Sequence, residues 1–148
     1  MQDCEIDNGQ ESLDFYESGK LLSSCFYLEG KLHGPSRFYS EEGTLLSASL
    51  FVYGKKEGEV FYYYQTGTPY ALLRFKNGLK EGKHEYFYPE GRVKTTLNFK
   101  EDVLHGKVIL YWPSGVIKRE TAYVEGKKKG KDCIWSEEGV ITLEKDYA

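Results

Sequence analysis

Glycine recurs along this chain in strict register, and no other feature limits the possible folds so sharply. Gly19, Gly43, Gly67, Gly91, Gly115 and Gly139 stand 24 residues apart. A second series is Gly30, Gly54, Gly78 and Gly126, with Asp102 in the remaining slot; a third is Gly34, Gly58, Gly82, Gly106 and Gly130. Aromatic residues keep the same step. Four residues before each glycine of the first series stand Phe15, Tyr39, Tyr63, Phe87, Tyr111 and Trp135. Eight residues after it stand Tyr27, Phe51, Phe75, Phe99, Tyr123 and Tyr147. A fixed period of this length marks an extended repeat architecture, each repeat being one supersecondary unit. The chain divides into a tail or cap at residues 1–9 and six tandem units over 10–148, the last one truncated. No low-complexity linker separates the units.

Each unit reads as two strands around a tight turn. With 13 Tyr and 8 Phe the chain is rich in residues that pack well on a pleated surface, and its 16 Gly supply the turns. Tips such as Glu41-Glu42-Gly43 and Pro89-Glu90-Gly91 fit a three-residue hairpin loop whose last residue takes a positive φ. That loop places the aromatic four before the glycine opposite the residue two after it. The expected pairs are Phe15 with Leu21, Tyr39 with Leu45, Phe87 with Val93, Tyr111 with Ile117 and Trp135 with Ile141. The Gly-x-x-x-Gly segments, such as Gly54–Gly58, provide the return connection. The predicted fold is all-β: an elongated antiparallel meander in a single twisted sheet of about 12 strands, with contacts mostly between neighbours.

Alternation along the strands predicts two faces. One carries the recurrent aromatics and their aliphatic partners and continues with Cys25, Ala71, Leu73 and Leu97; it reads as packed core or as a groove lined by the same rings. The other differs between the halves of the chain. Early units place Leu22, Phe26, Leu46, Ala48, Leu50, Val52 and Leu72 there, whereas later units place Lys94, Thr96, Asn98, Lys118, Glu120, Thr142 and Glu144. An apolar cluster on the wet face of a single sheet is the kind of patch that marks a partner site, unless the tail or the twist of the sheet covers it.

The units resemble MORN repeats, and more narrowly the bacterial variant associated with antitoxin-like proteins. The residues that carry the likeness are the aromatic-x-x-x-Gly core, the later aromatic and the Gly-x-x-x-Gly turn. The clearest copy is Tyr111-Trp112-Pro113-Ser114-Gly115 with Tyr123-Val124-Glu125-Gly126 and Lys127-Lys128-Lys129-Gly130. The likeness covers residues 13–147. It implies a ribbon of hairpins serving protein–protein contact, self-association or association with membrane phospholipids, and in the antitoxin-like group the neutralising of a partner toxin by binding. It implies no catalytic residue.

The remaining chemistry narrows the functions further. A net charge of −3 argues against a nucleic-acid partner, for which a strongly basic domain is expected. The start MQDCEIDNGQ lacks the basic and apolar segments of a secretory signal, no apolar run is long enough to span a membrane, and Cys4, Cys25 and Cys133 make no disulfide framework; a cytoplasmic protein is the expectation. His33 and His105 hold equivalent places in turns and read as solvated, too far apart for a shared metal ion. Paired acids such as Glu41-Glu42 sit on turn tips, away from the burial that acid–base catalysis draws on. The expectation is a non-enzymatic binding module without a cofactor or metal. Its candidate surface is Leu46, Leu50, Val52 and Leu72 with the rim aromatics Tyr64, Tyr88 and Trp112, and its partner is a protein of unnamed identity, including a toxin. Terminal hairpins leave unpaired edges through which a homodimer could form. The alternative is peripheral attachment to anionic phospholipids through a basic rim of Lys55, Lys56, Lys80, Lys127, Lys128 and Lys129.

Overall fold

A computed structural model describes residues 9–148. The tail or cap at residues 1–9 lies outside the described residues, Gly9 apart, as does Cys4. The strands are β1 (Gln10–Phe15), β2 (Leu21–Leu28), β3 (Lys31–Tyr39), β4 (Leu45–Val52), β5 (Lys55–Lys56), β6 (Gly58–Tyr63), β7 (Pro69–Lys76), β8 (Leu79–Lys80), β9 (Gly82–Phe87), β10 (Val93–Lys100), β11 (Val103–Leu104), β12 (Gly106–Tyr111), β13 (Ile117–Val124), β14 (Lys127–Trp135) and β15 (Ile141–Tyr147). All join one open sheet in meander order; twelve form its main path, and the two-residue strands β5, β8 and β11 pair beside it. These three are the detached starts of β6, β9 and β12. One residue separates each from its continuation, and its N–H still bonds across: Glu57 to the Leu50 carbonyl at 2.9 Å, Glu81 to Arg74 at 3.0 Å and His105 to Asn98 at 2.9 Å.

Both turn types follow from local chemistry. At each tight tip the glycine closes a type I turn; Gly19, at φ +83°, donates its N–H to the Tyr16 carbonyl at 2.9 Å. A residue with a Cβ pays a steric cost in that conformation. The return connections are two-residue turns with positive φ at both positions, as at Asn77 (52°) and Gly78 (81°), the geometry whose twist matches the flanking strands. Asp102 takes the glycine slot at φ 69°. All five expected aromatic–aliphatic pairs form, and Tyr63 opposite Pro69 completes the series. Each such pair contributes roughly 0.2–1 kcal/mol.

One feature of the register was not foreseen, and it redistributes the faces. Phe15 opposes Leu21 but Asp14 opposes Ser23, so Leu22 is an extra residue, a β-bulge. The same bulge recurs at Leu46, Tyr70, Lys94, Lys118 and Thr142. A bulge breaks the two-residue alternation. The two aromatic series, expected on one face, therefore lie on opposite faces. On the first face Val60 opposes Leu73, Tyr62 opposes Ala71 and Gly58 opposes Phe75; on the second, Phe61 opposes Leu72 and Tyr63 opposes Pro69. Cys25, Ala71, Leu73 and Leu97 keep the first face with the later aromatics. Phe15, Tyr39 and their equivalents move to the second face with their aliphatic partners.

The first face holds the core. Its central column is the position seven residues before each tip glycine: Ser36, Val60, His84 and Asp132 are each 1% exposed. The His84 ring lies between the rings of Phe75 (5.8 Å) and Phe99 (4.8 Å), so the later aromatics roof the column. In this way a one-layer sheet buries side chains without a second layer.

Candidate functional site

The side chains at the tight tips are tethers between units. Tyr16, Tyr64 and Tyr88 donate their hydroxyls to the carbonyls of Tyr39, Phe87 and Tyr111 at 2.8, 2.7 and 2.7 Å, and the Trp112 indole N–H reaches the Trp135 carbonyl at 3.1 Å. Each acceptor lies 23 residues on, in the next unit. The rim aromatics Tyr64, Tyr88 and Trp112 are thus committed to structure at their polar ends, and their rings are covered as well. Tyr70 packs edge-on to Tyr64 at 5.2 Å, and the ammonium groups of Lys94 and Lys118 sit over Tyr88 and Trp112 at 5.7 and 4.3 Å. These three covering residues occupy the bulge position. Tyr70 also meets Tyr86 of the first face, so the bulge residues lean to that side. Lys94 and Lys118 do not join the second face as alternation suggested, and Leu46, at the same register position, leaves it too.

The opposite side of the ribbon is stitched in a second way. In four of the two-residue turns the N–H of the first residue is taken up by a side chain one unit back: His33 Nδ1 accepts from Tyr53 at 2.9 Å, Glu57 from Asn77 at 2.6 Å, Glu81 from Glu101 at 2.9 Å and His105 Nδ1 from Glu125 at 3.4 Å. His33, expected to be solvated, is 5% exposed and packs against the Tyr53 ring at a tilt of 53° with centroids 4.5 Å apart; its acceptor role and that ring draw it in. His105 is exposed, as read from the sequence. Sequence reasoning missed the recurrence of His, Glu, Glu and His at positions 33, 57, 81 and 105, which was visible at the 24-residue step.

Two buried polar groups occupy the core column. Burial pushes the His84 imidazole below its ordinary pKa, and its Nε2 lies 2.8 Å from the Arg74 carbonyl and 3.2 Å from the Arg74 N–H. Asp132 is gripped by Arg119 through two hydrogen bonds (2.8 and 2.7 Å), by Thr121 at 2.7 Å and by Lys128 at 2.8 Å. The Arg119 guanidinium holds its carboxyl far below the usual carboxylate range. A locked carboxylate of this kind positions its neighbours and has no lone pair to spare for proton transfer. Among the described residues no group of three or more His, Cys, Asp or Glu could hold a metal ion. Cys25 and Cys133 are buried on opposite faces, Cys25 accepting from the Ser36 hydroxyl at 2.9 Å.

The proposed basic rim is divided. Lys56 folds over Phe75 at 5.3 Å, Lys80 over Phe99 at 5.0 Å and Lys128 over Tyr147 at 5.0 Å. Lys55, Lys127 and Lys129 are exposed, as is Lys80 above its ring. The lysines are drawn back because the aromatic faces beneath them attract a cation.

The second face retains an apolar patch in its N-terminal half. Pro35, Ala48, Leu50 and Phe61, rimmed by Arg37 and Glu59, line a shallow depression of about 220 Å³. Leu72 continues it as the partner of Phe61, and Val52, opposite Lys55, lies at its end. Toward the C-terminus the same face is laced by ion pairs: Arg74 with Glu59 and Glu85, Lys107 with Glu120 at 2.8 Å, and Lys131 with Glu144. The structure thus brings Leu50, Val52 and Leu72 together, and leaves Leu46 and the three tip aromatics apart from them.

No curated protein matches the chain. The family described as the MORN repeat variant matches residues 11–29, 56–77, 80–101 and 104–125. The last three matched stretches begin 24 residues apart, each covering one hairpin of the ribbon, and together the four cover more than half of the sequence. The hairpins β3–β4 and β14–β15 repeat the same geometry between and beyond them. The chain belongs to the MORN repeat variant family.

Proposed function

We propose that this protein is a non-catalytic protein-binding module whose contact surface is the second face around Leu50, Phe61 and Leu72. The observation that supports this most is the asymmetry of that face. Half-exposed apolar side chains are contiguous in the N-terminal half, whereas cross-strand ion pairs occupy the equivalent positions in the C-terminal half. Contiguous apolar surface with a polar rim favours a protein partner, because desolvating it is favourable and Arg37 and Glu59 can orient the complex. Neutralising a toxin by covering its surface is the finer form of this reading that the repeat variant suggests.

The membrane-surface alternative is weaker, because three of its six lysines lie folded over aromatic rings. Leu50→Asp with Leu72→Asp tests the reading. The variant keeps its circular dichroism and unfolding transition but no longer retains the partner captured by the wild type from its host. A control, Glu144→Lys, retains it. Capture unaffected by the double substitution refutes the assignment. Flotation with anionic vesicles that is abolished by salt would instead favour the basic rim.

A further inference from the structure

The ribbon has two open strand edges. Among the described residues, nothing pairs with the outer side of β1 or of β15. The two edges differ in kind. β1 is the first strand of a unit and β15 the second strand of a unit. Inside the chain a second strand is followed by a first strand at β2–β3, β4–β6, β7–β9, β10–β12 and β13–β14. The outer edge of β15 is therefore built to receive a strand of the β1 type, and the edge of β1 is built to receive one of the β15 type.

The side chains at the open edges match that description. Phe15 is 58% exposed and Ile141 49%, whereas Trp135 and Ile117, the residues at those positions of the β13–β14 junction, are partly covered. Leu13 and Leu143 are each 46% exposed; their equivalents there are Cys133, which is buried, and Arg119, which is partly covered. Each end thus displays apolar positions that the interior junctions cover. The second-face pair Phe15 and Leu13 lies on one end, and Ile141 lies on the same face of the other end.

We propose that copies of this chain associate head to tail, β15 of one copy pairing antiparallel with β1 of the next. The interior register sets the alignment. Arg119 opposes Ile134, Glu120 opposes Cys133 and Thr121 opposes Asp132 in β13–β14. Moved by whole repeats, that register puts Leu143 opposite Asp14, Glu144 opposite Leu13 and Lys145 opposite Ser12. Lys145 then lies on the same face as Asp14, two residues along, and the opposite charges favour this order of the ends. Such an interface is heterologous, so each added copy presents a fresh edge and assembly continues past the dimer unless the twist closes it into a ring. Pairing of two β15 strands would instead be isologous and would stop at two copies.

Sedimentation of two single-edge variants of the full chain separates these arrangements. Like charges directly opposite each other across two strands oppose their pairing. Leu13→Glu sets a carboxylate opposite Glu144 and blocks the head, Leu143→Glu sets one opposite Asp14 and blocks the tail, and both positions are exposed, so the circular dichroism spectrum should match the wild type. The expected result is a wild-type mass that rises with concentration beyond twice that of the monomer. Each variant alone stays monomeric, and a one-to-one mixture doubles in mass, since the intact tail of one variant meets the intact head of the other. A wild type that is monomeric up to millimolar concentration overturns the proposal. So does a Leu13→Glu chain that still dimerises, or a mixture that remains monomeric.

Discussion

Removing the tip tethers should weaken the ribbon by a predictable, additive amount. The hydroxyls of Tyr16, Tyr64 and Tyr88 each donate to a carbonyl of the following unit at 2.7–2.8 Å. Replacing any one by Phe keeps the ring, so apolar burial is nearly unchanged and the loss is that of one hydrogen bond, about 1 kcal/mol. Successive units are two strand spacings apart, about 10 Å, a separation at which mutational effects add to within about 0.5 kcal/mol. The triple variant should therefore lose about 3 kcal/mol, a large part of the 5–15 kcal/mol typical of a folded domain. Urea unfolding followed by the fluorescence of Trp112 and Trp135 measures it. The slope with denaturant should stay constant while the midpoint falls. Tyr53→Phe, at a ring that is 54% exposed, serves as the control and should shift stability by less than about 0.5 kcal/mol. Tip substitutions no costlier than this control, or a triple variant far from the sum of the singles, would show that the units are held together by strand pairing alone.

Two other positions make independent predictions. His84 is neutral in the core with its pKa lowered from 6.5 mainly by burial, so the unfolded chain binds a proton that the folded chain refuses. Stability is then highest above about pH 6.5 and declines as pH falls through the lowered native value. His84→Val, which copies Val60 and Val108 at the same repeat position, should flatten the dependence of the urea midpoint between about pH 7 and 5. A slope that is unchanged in the variant would assign the titration elsewhere. Asp102 occupies a glycine slot at φ 69° and accepts the Lys80 N–H at 2.7 Å through Oδ1. Asp102→Ala keeps the strained backbone and loses that bond, for a cost of about 1–2 kcal/mol, whereas Asp102→Gly trades the bond for relief of strain and should be close to neutral. Thermal unfolding of the two variants should separate them by several degrees.

At the candidate surface, sequence patterns stop being sufficient. Leu50 and Leu72 were legible because they sit on paired stretches of β4 and β7, where alternation holds. Leu46 was not, because a bulge residue has no partner across the strand and turns to the other side. Tyr64, Tyr88 and Trp112 look like contact residues in a sequence, as any large ring on a turn does. Only the distance to a carbonyl one unit away identifies them as tethers. The lysines of the return loops look equally alike in the sequence, yet Lys56 and Lys80 have an aromatic ring beneath them and Lys55 does not.

By itself, the 24-residue beat of glycine and aromatic residues determined the hairpins, their turns, their order and the aromatic–aliphatic pairs. These are local matters: the sign of φ at a turn and the length of a loop dictate which residues face each other. Which side of the sheet is core, and which groups on it are locked, was decided only in three dimensions. One unpaired residue per hairpin reverses the side on which every later residue lies. Burial of His33, His84 and Asp132 depends on rings and cations contributed by neighbouring strands and units, which no single repeat contains.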